Sequence, residues 1–139
     1  MSLSEIFLIA NTSVIPAWLV LIFAPKRRWR NPVIYLFAAG MSLLYTFYAI
    51  SGLSDFDPSS FNSLAGVKAL FTQDEVVLAG WVHYLVFDLL IGNWMVNESI
   101  RRSVKHYLVI PCLFLTFMFG PVGFLLFTII KFIKVRNLV

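Results

Sequence analysis

The chain has 139 residues, of which 60% are hydrophobic and 13% charged, with a net charge of +4 and a mean hydropathy of +0.85. Soluble domains run nearer 45–50% apolar and about 25% charged, so this composition excludes an ordinary water-soluble domain. It also excludes a nucleic-acid binder, because the basic residues sit in short clusters at the ends of apolar runs, with no basic groove carrying stacking aromatics.

The first apolar run predicts a helix over about Ser4–Phe23, interrupted by Pro16 and carrying a polar notch at Asn11, Thr12 and Ser13 one turn earlier. It has no basic residues before it and no small-x-small cleavage site, so it reads as a retained first helix and not as a signal peptide. Pro25 and the run Lys26, Arg27, Arg28, Trp29, Arg30 end it. Pro32 suits the first turn of a second helix, over about Pro32–Ser51. Gly52, Asp55, Asp57 and Pro58 break that helix.

The connection that follows, Ser54 to Glu75, contains Phe61–Phe71, which is too short to cross a bilayer. Its apolar positions Phe61, Leu64, Ala65 or Val67, and Phe71 recur at helical spacing and predict a short amphipathic helix lying on the membrane. A third long helix is expected over about Glu75–Asn97. A fourth is expected over about Tyr107–Phe132, over-long and interrupted at Gly120-Pro121 with Gly123 following. The fold expected is therefore all-α: one domain over 1–139, a bundle of about four transmembrane helices with a surface helix between the second and third.

The loops carrying Lys26–Arg30 and Arg101, Arg102 and Lys105 are the basic ones, and the loop with Asp55, Asp57, Asp74 and Glu75 is the acidic one. The bias towards basic cytoplasmic loops then puts both termini on the non-cytoplasmic side. Lys131, Lys134 and Arg136 run against that orientation. Arg101 and Arg102, with Glu98, are either a topogenic cluster or a lipid-phosphate site.

The informative residues are polar ones inside the third span: His83, Asp88 and Asn93. A charged side chain at the bilayer centre costs about 2.5–3.5 kcal/mol on insertion scales, so each needs a partner, a wet cavity or a task. On an ideal helix Asp88 shares a face with Trp81, Tyr84, Gly92 and Met95. His83 lies about 140° away, with Phe87, Leu90, Trp94 and Asn97, and so does not pair with Asp88 within a regular helix. Asp88 has two readings. One is a carboxyl satisfied by a tyrosine or by the Asn11–Ser13 notch. The other is a protonated carboxyl that supplies a proton to a substrate. Asn93 reads as helix–helix glue. One His and one Asp make no convincing metal set, and Cys112, the single cysteine, allows neither an internal disulfide nor a Cys-rich metal site. No nucleophile motif and no glycine-rich phosphate loop is present.

The Pro16-x-Trp18 pair, the Pro25-Lys26-Arg27-Arg28-Trp29 stretch, the core Gly80–Trp94 with its His83…Phe87-Asp88…Gly92-x-Trp94 pattern, Pro111-Cys112-Leu113 and Phe119-Gly120-Pro121-Val122-Gly123 together resemble the ABA4-like family of small membrane proteins. The resemblance covers nearly the whole chain. It implies a carotenoid-linked protein of a plastid (thylakoid) or bacterial inner membrane, since plant members are required to form neoxanthin from violaxanthin. Opening a xanthophyll epoxide to an allenic alcohol is an isomerisation that needs an acid and a base and no redox cofactor. Asp88 and His83 are the candidate catalytic pair, with Asn93, Tyr84, Trp81, Trp94 and Asn11 as binding residues. The alternative is a non-catalytic subunit that binds carotenoid, chlorophyll or haem within a larger photosynthetic membrane complex. A small transporter is a third reading, weakened because only one span carries an acidic residue.

Overall fold

A computed structural model describes residues 1–52 and 57–136, with the side chains of Val135 and Arg136 excepted. Asp55 and the start of the connection at Ser54 lie outside the described residues. The described chain is all helical: α1 (Leu3–Phe23), α2 (Arg30–Gly52), a 3₁₀ turn (Pro58–Asn62), α3 (Leu64–Leu70), α4 (Asp74–Arg101), α5 (His106–Phe119) and α6 (Pro121–Arg136). Helices α1, α2 and α4 are long and apolar enough to cross a membrane, and many of their large apolar side chains, such as Leu8, Leu36, Leu43 and Phe87, face outward.

Helix α4 is the centre of the bundle; α2 packs most extensively against it, and α1, α5 and α6 also contact it. Leu3 and Phe7 of α1 lie beside Asp74 and Val77 of α4, while Trp18 and Leu21 lie against Gly92, so α1 and α4 run parallel. Asn31 meets Asn97 and Gly52 meets Val76, so α2 runs antiparallel to both. In lipid the apolar effect gives helices little reason to associate, and close packing over small residues takes its place. At Gly92 an added Cβ would lie 2.9–3.0 Å from the Trp18 ring and Leu21. The close approach that this glycine permits is thus taken by α1.

Helix α1 starts one residue earlier than expected, because Ser2 and Glu5 form a reciprocal capping box, with Ser2 N–H donating to Glu5 Oε2 at 2.7 Å and Glu5 N–H to Ser2 Oγ at 3.2 Å. The surface segment forms as a 3₁₀ turn and α3, capped by Asp57 and Ser63 respectively.

The interruption expected at Gly120-Pro121 separates two helices, α5 and α6. At Gly120 the backbone turns to φ 46°, its N–H still donating to Thr116 O at 2.8 Å, and Pro121 opens α6 in a new direction. A glycine end followed by a proline start is the usual punctuation between helices. Helix α5 has 14 residues, about 21 Å at 1.5 Å per residue, short of the ~30 Å hydrocarbon layer. It begins beside the end of α1, where His106 Nε2 meets Ile22 O at 2.8 Å, and ends beside Asp88. Helix α6 then returns: Trp94 packs on Phe124 and Phe127, and Lys131 Nζ reaches Glu98 Oε1 at 3.7 Å. Helices α5 and α6 are therefore a hairpin that enters and leaves at one end of the bundle. Lys131 of α6 lies beside Glu98 and Leu3 of α1 beside Asp74, at opposite ends of α4. The anomalous Lys131 thereby joins Arg101 and Arg102 around Glu98.

Candidate functional site

Asp88 sits near the middle of α4, about 20 Å from either end at 1.5 Å per residue. The tip of the α5–α6 hairpin covers it: a Cβ added at Gly120 would lie 3.0 and 3.1 Å from the two carboxyl oxygens. Only glycine, tolerant of this φ and lacking a side chain, fits there. Oδ2 is buried without a hydrogen-bond partner. The ion pairs among the described residues all centre on Glu98, so no cation neutralises Asp88.

Two expected residues, Trp81 and Tyr84, line up with it along the same face of α4, and Asn11 of α1 meets the first of them. Trp81 Nε1 donates to Asn11 Oδ1 at 3.2 Å and its ring lies 5.4 Å from that of Tyr84. The Tyr84 hydroxyl donates to Phe117 O at 3.0 Å and is close enough to the Asp88 carboxyl to interact with it. Asn11 is thus occupied by Trp81, and the Tyr84 proton by a carbonyl that the end of α5 leaves free. Asp88 also lines a cavity of about 240 Å³ with Ile91, Gly120, Pro121 and Phe124.

The remaining candidates lie elsewhere. His83 faces away from Asp88, stacked on Phe87 at 4.5 Å and 19° and 5.7 Å from the Tyr45 ring; the two proposed catalytic groups do not share a site. Asn93 is 1% exposed, its Oδ1 buried and unpartnered, inside the packed bundle. Trp94 packs on α6 with the Lys131 ammonium 5.2 Å above its ring. Among the described residues no three His, Cys, Asp or Glu side chains gather as a metal-binding group.

Of the two polar clusters at the basic end, the one around Arg30 escaped the sequence reading. Arg30 is 3% exposed, donates to Pro25 O at 2.6 Å, to Asn31 Oδ1 at 3.1 Å and to Asn97 Oδ1. Nothing in the sequence separates Arg30 from its basic neighbours; only the position of Asn97 across the helix pair does. Glu98, 5% exposed, takes Arg101 at 2.5 Å and Arg102 at 3.3 Å.

Such a bundle, with an uncompensated carboxyl held at mid-span by a helical hairpin, defines an integral membrane protein with a polar centre. The family model described as ABA DEFICIENT 4-like matches residues 5–127, and the chain belongs to the ABA4-like family. It is 25% identical over 130 residues to the Protein ABA DEFICIENT 4, chloroplastic, of Arabidopsis thaliana, a match covering 86% of this chain. The chain spans 57% of that relative's length. No solved structure matches it.

Proposed function

We propose that the chain is a xanthophyll isomerase of a photosynthetic (plastid or bacterial) membrane in which Asp88 alone supplies the acid and the base. The observation that carries this reading is the Asp88 carboxyl itself: at mid-span, without a cation, and lining a cavity with apolar walls. The family adds the substrate class, and the chloroplast relative, named for a deficiency in ABA, agrees with it. In the reaction Asp88 gives its proton to the epoxide oxygen, the adjoining carbon–oxygen bond breaks, and the resulting cation is spread over the polyene. The carboxylate then takes a proton from the neighbouring polyene carbon, leaving an allene and a tertiary alcohol. The carboxyl ends as it began and no electrons leave the substrate, so the step needs no redox cofactor. Tyr84 is a positioning residue, holding the hairpin carbonyl that sets Gly120 over Asp88. His83 has no part in this chemistry.

A second reading, a non-catalytic pigment-binding subunit of a larger membrane complex, is favoured by the cavity's size. At about 240 Å³ it is below the ~300–1,000 Å³ of closed ligand pockets, and a partner's surface would have to complete it. The test is expression of wild type, Asp88→Asn and His83→Phe in cells that accumulate violaxanthin, with pigment extraction. Wild type and His83→Phe should yield an allenic isomer of unchanged mass, and Asp88→Asn at least ~10²-fold less, the usual worth of acid–base catalysis. Unchanged cellular pigments, with pigment co-purifying in a large complex from all three strains, would establish the second reading instead.

A further inference from the structure

The other face of α4 holds a larger cavity, of about 370 Å³, within the range of small-molecule sites. Tyr45 and Ala49 of α2, Gly80 and His83 of α4, and Phe61 and Phe71 of the surface segment line it. A Cβ at Gly80 would lie 3.0 Å from the Phe71 ring, a tight contact. The roof is largely self-supporting: Asp57 caps the 3₁₀ turn, Ser63 Oγ accepts from Gly66 N–H at 3.0 Å, and Gly66 packs directly on the Ser60 backbone.

His83 and Tyr45 touch through their rings, yet among the described residues neither the imidazole nor the phenol hydrogen-bonds to the protein. Helix α4, 28 residues long, spans about 42 Å and overhangs a ~30 Å hydrocarbon layer by about 6 Å at each end. His83 lies about 13 Å along it from Asp74, hence roughly 7 Å inside the hydrocarbon. Polar atoms at that depth do not stay unpaired without cost, and apart from these two side chains the cavity's lining is apolar.

We infer that this cavity binds an apolar ring bearing one hydroxyl or carbonyl oxygen, which hydrogen-bonds to His83 and Tyr45 while the ring lies among Phe61, Phe71 and Ala49. The site gives His83 a role separate from Asp88 and stands whether or not Asp88 is catalytic. The probes are trimethylcyclohexanol, trimethylcyclohexanone and trimethylcyclohexane, titrated into the purified full chain in detergent. The readout is the NMR signals of labelled histidine, with His83 and His106 told apart by His83→Gln. Alcohol or ketone should shift the His83 signals saturably and leave those of His106 in place. A preference for the alcohol or for the ketone identifies which oxygen the site takes. The hydrocarbon should bind about 10- to 100-fold more weakly, the worth of two hydrogen bonds. Ala49→Trp, which fills the cavity, should abolish all three, and Asp88→Asn should change none. Non-saturable shifts, equal affinity for oxygenated and plain rings, or unchanged binding in Ala49→Trp would each overturn the inference. Absence of isomerisation by the wild type, with ring binding intact, would count against the Asp88 reading alone.

Discussion

Gly123→Ala tests the hairpin on which the Asp88 geometry depends. A Cβ at Gly123 would overlap Thr116 Oγ1, Thr116 N and Cys112 O. Two of these are backbone atoms of α5, and Thr116 Oγ1 is tied to Cys112 O at 2.8 Å with the side chain fully buried, so no flexible side chain can yield. Relief requires α6 to move away from α5 by on the order of 1 Å. Overpacking of this kind costs about 1–3 kcal/mol, with rigid surroundings at the upper end. Alanine recovers about 1 kcal/mol of helix propensity over glycine. The net loss is then about 2 kcal/mol, a fall in unfolding midpoint of roughly 4–8 °C for a chain of this size. The assay is built into the molecule. Cys112 is the single cysteine and is buried under the hairpin, so a thiol-reactive fluorophore added during heating reports when α5 and α6 part. Gly40→Ala is the control, because nothing lies within 4 Å of a Cβ there; it should leave the midpoint unchanged or raise it slightly. Equal midpoints and equal Cys112 labelling for wild type, Gly40→Ala and Gly123→Ala would refute the packing argument.

Three further outcomes follow from the same geometry. A cysteine placed at Lys134, in a Cys112→Ala background, should be labelled from the same side of the membrane as one placed at Lys26, and one at Ser4 from the opposite side; a Lys134 site that labels with Ser4 would mean that α5 and α6 cross the bilayer. Asn97→Ala removes an acceptor from the buried Arg30 guanidinium and should cost about 2 kcal/mol in detergent unfolding, and the Arg30→Met, Asn97→Ala double variant should recover part of that loss because no buried charge is left short of partners. Outside the spans, the hydroxyl of Ser59 at 2.6 Å and its N–H at 2.9 Å hold the Asp57 carboxyl below its ordinary range. The cap is therefore complete above the ordinary carboxylate range and is lost only as pH falls through the lowered value. Carboxyl-carbon NMR titration should show the Asp57 midpoint rising in Ser59→Ala.

The long helices were legible because their signal is one-dimensional. A span of about 20 apolar residues has no alternative in lipid; α1 and α2 end within a residue of where Pro25 and Gly52 suggest, and α4 runs on to Arg101, four residues past the expected Asn97. The angular separation of His83 from Asp88 was equally legible, since it depends only on the helical period within α4. The break at Gly120-Pro121 was visible as a break, but not as a reversal. Composition is the same whether α6 continues across the membrane or folds back, and what decides it is the contact of Gly123 with α5 and of Lys131 with Glu98 across 33 residues of chain. The same holds for the partners of each polar group. Sequence marked Asn11, Tyr84 and Asp88 as polar groups needing partners, yet that Asn11 goes to Trp81, Tyr84 to Phe117 O and neither to Asp88 Oδ2 depends on how α1 and α5 lie against α4. Arg30 among its three basic neighbours, and His83 beside the surface segment, became distinct only once the tertiary structure set what faces each of them. A local period determines which way a side chain points; only long-range packing determines what it meets.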